Sequence, residues 1–112
     1  MVMKRTIKVM YDNISTTVEI VGDKLVIPEG VENVHCYNNN LTELILPEGI
    51  KNVFCYNNNL TELVLPEGVE YVSCPNNNLR TIKAMGDINS LLFLKNKELI
   101  VEDKKLKVLF FF

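Results

Sequence analysis

LVIPEGVENVHCYNNNLTE from Leu25, LILPEGIKNVFCYNNNLTE from Leu44 and LVLPEGVEYVSCPNNNLRT from Leu63 are near-copies of one nineteen-residue unit, and this repetition decides the fold. A unit this short cannot bury its own apolar residues, so the copies must stack and share one core as a solenoid. Apolar residues recur at Val31, Val34, Cys36 and Leu41, at Ile50, Val53, Cys55 and Leu60, and at Val69, Val72, Cys74 and Leu79. Asn39, Asn58 and Asn77 hold one fixed place in the unit. A degraded fourth copy keeps Ile88, Leu91, Phe93 and Asn96 on register but has Glu98 where an apolar residue is expected, so the repeats are expected to end there.

Written out, the register is L-x-x-L-x-L-x-x-N-x-L with conservative swaps, and over residues 25–100 the chain resembles the leucine-rich-repeat family. The resemblance implies a mainly β, right-handed solenoid with a parallel sheet on its concave face and extended Pro-Glu-Gly turns on its convex side. It also implies a rigid scaffold that binds protein partners. The short unit is most similar to the compact repeats of bacterial effector proteins, which often add a ubiquitin-ligase domain with a catalytic cysteine. The 112 residues leave no room for such a domain, so that activity is not expected.

Both flanks read as caps, because the end units of a repeat stack must cover an open core. KRTIKVMY and STTVEIV alternate with period two around Asp12-Asn13, a turn-prone pair, which predicts a β-hairpin. LKVLFFF can add a last strand through Leu106, Leu109 and Phe111, arriving one residue early relative to the period. The chain is thus expected to be one domain, 1–112, with a hairpin cap over 1–24, repeats over 25–100 and a capping strand over 101–112.

Bulk composition removes several function classes. Hydrophobic residues make up 47%, enough for a modest folded core, and the formal charge of −2 with mixed signs gives no basic face for a phosphate backbone. No nucleic-acid partner is expected. No stretch approaches the roughly 20 apolar residues of a membrane span, and the N-terminus lacks the pattern of a secretory signal. The expected setting is the cytoplasm of the producing cell or a host, with no membrane partner. Cys36, Cys55 and Cys74 recur once per unit at an inward position, so they read as a stack of small buried hydrophobes instead of a zinc or redox site. No metal and no cofactor are expected.

Period-two alternation over about Asn33 to Tyr37 sends Val34 and Cys36 inward and Asn33, His35 and Tyr37 outward. The repeated asparagines are expected to bond backbone groups of their own and neighbouring loops, and the asparagines beside them to visit left-handed conformations. Leu41, Leu44 and Leu46, with their copies, are expected to be buried along the return path.

Outward positions can vary from unit to unit, and three columns do: Asn33, Asn52, Tyr71, Ser90; His35, Phe54, Ser73, Leu92; and Tyr37, Tyr56, Pro75, Leu94. They gather His35, Tyr37, Phe54, Tyr56 and Tyr71 on one face, which is the candidate partner-binding site because aromatic side chains anchor interfaces. Stacking of Tyr37 on Tyr56 along the sheet is the competing explanation for the same residues.

Catalysis is not expected. The single histidine, His35, shares a column with Ser73 but has Phe54 between them, and no His/carboxylate cluster or phosphate-cradling loop occurs. The expected function is a non-catalytic protein–protein interaction module, an adaptor or an inhibitor acting by occlusion, pathogen- or phage-encoded. The alternative is a self-assembling protein that forms a homo-oligomer through LKVLFFF, since a sheet-edge strand offers unpaired backbone groups.

Overall fold

Alternation of one buried and one exposed residue shapes each turn of the chain. The computed structural model describes residues 4–11, 14–86, 88–93, 96 and 106–108. It opens with a long hairpin, β1 (Lys4–Tyr11) and β2 (Ile14–Val21), paired antiparallel from Lys4↔Val21 to Tyr11↔Ile14. The predicted hairpin is therefore present, and its Asp12-Asn13 turn lies outside the described residues.

Two strands then alternate in every repeat. One series is β4 (Asn33–His35), β6 (Asn52–Phe54) and β8 (Tyr71–Ser73), continued by β10 (Ile88–Phe93) and β11 (Leu106–Val108). The other is β3 (Lys24–Val26), β5 (Glu43–Ile45), β7 (Glu62–Leu65) and β9 (Thr81–Ala84). Among the described residues there is no helix, and the molecule is a β-solenoid of about three turns with a spacing of about nineteen residues. The return path, expected as extended chain, is itself a second parallel sheet.

The core lies between the two series. Val34, Val53 and Val72 from the first face Leu25, Leu44 and Leu63 from the second, with Leu41, Leu60 and Leu79 closing the loops, all buried. Leu46 departs from the repeat, being only partly buried where its copy Leu65 is fully so. The hairpin joins both sheets at one end: β1 pairs antiparallel with β4 at Val9↔Val34, and β2 with β3 at Val21↔Lys24. Its Ile7 and Ile20 are buried in the same core, so apolar surface of the first repeat is kept from water.

Register is strict until the last repeat. β4, β6 and β8 pair residues nineteen apart, Val34↔Val53↔Val72. β10 instead pairs Leu91 with Tyr71, Leu92 with Val72 and Phe93 with Ser73, a slip of one residue. The turn before it has also lost the repeat's pattern: Met85-Gly86 stands where Pro66-Glu67 does one unit earlier, and Gly86 lacks the positive φ of Gly49 and Gly68. Leu91 thus aligns with Tyr71 where Ser90 was expected, and Leu94 lies outside the described residues. β11 runs parallel to β10 with Ile88↔Leu106, one residue short of the period, as the sequence suggested. Leu109 and Phe111 lie outside the described residues.

Candidate functional site

The outward face of β4, β6 and β8 is held from beneath by two ladders. Asn58 Nδ2 donates to Cys55 O at 2.9 Å, to Cys36 O at 3.0 Å and to Tyr56 O at 3.3 Å, while its Oδ1 accepts from Asn39 N and Leu41 N, each at 3.0 Å. Asn77 repeats the pattern with Cys74 O, Cys55 O, Pro75 O and Leu60 N. Asn96 Oδ1 accepts from Asn77 N and Leu79 N, which returns the chain to nineteen-residue spacing after the slip in β10. Asn39 has no repeat before it and makes one exposed bond, to Tyr37 O. Asn58, Asn77 and Asn96 thus each tie their loop to the one before and satisfy polar groups that the turn would otherwise bury.

Left-handed backbone occurs at Asn38, Asn40, Asn57 and Asn76, with φ between 55° and 60°. Asn59 and Asn78, copies of Asn40, do not adopt it. Asparagine tolerates this region because its short side chain bonds locally.

Cys36, Cys55 and Cys74 form the second ladder, as free, buried thiols. Burial, and then the neighbouring Cys55, push the Cys36 thiol up from its usual range. For Cys55 the hydrogen bond with the Cys74 thiol is the largest cause, followed by burial. Both are held neutral, the state that suits a packing role and opposes thiolate chemistry.

Above these ladders the outward side chains stack along the solenoid. The His35 and Phe54 rings lie 4.4 Å apart at 7°, and the Tyr37 and Tyr56 rings 4.5 Å apart at 2°. Phe54 meets Tyr71 at 5.2 Å, tilted 37°, and His35 meets Tyr37 edge-on at 6.2 Å. The five residues singled out from the sequence therefore form one contiguous cluster. His35 and Tyr37 are exposed, whereas Phe54, Tyr56 and Tyr71 are half-buried by their neighbours. Beside the cluster, Asn52 Nδ2 donates to Asn33 Oδ1, and Lys51 pairs with Glu32 at 3.5 Å.

Stacking has a chemical consequence. Rings 4.4 to 4.5 Å apart leave no space for a flat ligand between them, so His35–Phe54 and Tyr37–Tyr56 offer edges, hydroxyls and the imidazole to a visitor. Such a surface suits a broad, contoured partner better than an intercalating base or sugar ring. Ser73 is in register with Phe54, which is in register with His35, so the histidine and serine are two strands apart. Among the described residues, no group of three or more His, Cys, Asp or Glu side chains is arranged to hold a metal ion.

The sequence reading passed over a second surface on the other sheet. Thr42, Ile45, Leu46, Val64, Pro66 and Met85, with Glu43, Glu48, Glu62 and Glu67, line a groove of about 1070 Å³. The available sequence signal was a charge column, Lys24, Glu43, Glu62, in which like charges become neighbours. No protein-family model, curated protein or solved structure matches the chain. Its class therefore rests on its own geometry: a small, mainly β repeat solenoid.

Proposed function

We propose that this solenoid is a leucine-rich-repeat type of scaffold whose aromatic strand face binds a partner protein, without catalysis, as an adaptor or an occluding inhibitor in the cytoplasm of the producing cell or a host. The repeat assignment is supported by the burial of Val31, Val34, Cys36 and Leu41 and their copies, and by the asparagine ladder at the family's Asn position. The observation that carries the binding role is the continuous His35–Phe54–Tyr71 and Tyr37–Tyr56 cluster. Prearranged rings lose little side-chain freedom on association, which is why such residues dominate interface energetics.

The test is affinity capture from source and host cytosol by wild type and by a Tyr37→Ser, Phe54→Ser, Tyr56→Ser variant whose circular dichroism and melting are checked first. A protein captured by wild type is then purified and titrated against both. A loss of at least tenfold in the variant supports the reading, and equal binding removes the aromatic face from it. One observation favours the second reading, self-assembly: among the described residues β11 stands at one end of the nine-stranded sheet. A monomer mass in light scattering that does not change with concentration dismisses it.

A further inference from the structure

The first sheet runs unbroken through β4, β6 and β8, but the second is interrupted. β5 ends the nine-stranded sheet, and β7 and β9 form a separate pair, so no ladder joins β5 to β7. The facing residues differ from junction to junction. Lys24 and Glu43 form an ion pair at 3.6 Å between β3 and β5. Between β7 and β9, Glu62 pairs with Lys83 at 3.6 Å and accepts a hydrogen bond from Thr81 Oγ1 at 3.4 Å. At the junction between them the repeat sets Glu43 beside Glu62, and the turns beyond set Glu48 beside Glu67. Like charges facing each other across neighbouring strands oppose pairing.

The groove opens over this junction. Its middle is apolar, with Ile45 43%, Val64 37% and Met85 69% exposed. Its two ends are acidic: Glu43 and Glu62 where the strands begin, Glu48 and Glu67 at the turns that follow them. Among the described residues no lysine or arginine lines it, and Lys24 and Lys83 reach it only at the Glu43 and Glu62 carboxylates. Among the described residues Glu48 and Glu67 have no ion pair, whereas Glu43 and Glu62 are already engaged by Lys24 and Lys83.

We infer that the β5/β7 groove binds an extended cationic peptide segment, with an apolar residue between two lysines or arginines four positions apart. In an extended chain, residues i, i+2 and i+4 project to one side and span about 13 Å. That pattern lays one apolar side chain on Ile45, Val64 and Met85, sends one cation to the free carboxylates of Glu48 and Glu67, and sets the other against Glu43 and Glu62 in exchange for Lys24 or Lys83. This site lies on the sheet opposite the aromatic cluster and does not depend on the role proposed for that cluster.

The probe is an acetylated, amidated pentapeptide, Lys-Thr-Ile-Thr-Lys, titrated into the intact chain at low salt while methyl and amide NMR signals are followed. The expected result is saturable shifts at Ile45, Val64 and Met85, at least tenfold weaker in a Glu48→Gln, Glu67→Gln variant, which alters only exposed turn residues and keeps the fold. Glu-Thr-Ile-Thr-Glu and Lys-Thr-Ser-Thr-Lys are expected to bind at least tenfold more weakly. Shifts confined to His35, Tyr37 and Phe54, equal binding of the acidic peptide, or no saturable shift overturns the proposal. So does spermine binding as tightly as the peptide, or concentration-dependent broadening of Ile45 and Val64 without peptide, which would give the groove to a polyamine or to a second copy of the chain.

Discussion

The two sheets of this solenoid are built from the same repeats, yet one is continuous and the other is split between β5 and β7. Beneath the continuous sheet, each inner asparagine bonds carbonyls of two loops, and above it rings stack at 4.4 to 4.5 Å. Among the described residues the second sheet has no such clamp, and its outward column brings Glu43 beside Glu62. A repeat thus brings strands side by side without ensuring that they pair.

The sharpest way to break this contrast is to remove a clamp. Asn58→Ala leaves Asn39 N, Leu41 N, Cys36 O and Cys55 O without their amide partner. At ~1–3 kcal/mol for each buried polar group left unsatisfied, with water recovering part of it, the expected loss is about 4 kcal/mol in urea unfolding. Asn39→Ala, removing one exposed bond, is expected to cost under about 1 kcal/mol. Equal losses for the two would refute the ladder as the source of the first sheet's continuity.

Alkaline pH attacks the same side through the thiols. Cys36 and Cys55 bind their protons more tightly folded than unfolded, so their contribution is complete below the unfolded thiol range and falls as pH rises above it. From pH 8.5 to 9.5 stability is expected to drop by ~1 kcal/mol for each of these thiols. Cys55→Ala should flatten the profile when urea midpoints are compared across that range.

The stack itself is open to a double-mutant cycle. Tyr37→Ala with Tyr56→Ala is expected to give a coupling of about 1 kcal/mol, the ordinary worth of an aromatic pair beyond its buried area. A coupling near zero would leave the rings to binding alone. The smallest effect should come from repairing the split. Glu43→Thr copies the Thr81–Glu62 arrangement across the β5/β7 junction, and the expected gain is ~0.5 kcal/mol with slower amide exchange at β5 and β7. Unchanged exchange would show that like charge is not what holds the strands apart.

Much of this was legible before any coordinates. Alternation placed Val34 and Cys36 inside and His35 and Tyr37 outside, and repetition assigned Asn58 and Asn77 to the loops they clamp. The aromatic cluster was also readable, because variable outward columns stand out against fixed inward ones. The slip in β10 was not legible, since Leu91 and Phe93 satisfy the apolar pattern at nineteen-residue spacing and Leu92 is as apolar as its neighbours. The groove was missed because Ile45 and Val64 looked like ordinary return-path residues.

The sequence alone determined the period, the direction of each side chain and the task of the asparagines, because these follow from local alternation and from copies nineteen residues apart. Only the tertiary structure decided that the return path pairs into a second sheet, that this sheet splits between Glu43 and Glu62, and that the rings use their faces on one another. Those outcomes depend on which side chains meet across a junction. That balance of attraction and repulsion exists only once the turns are stacked.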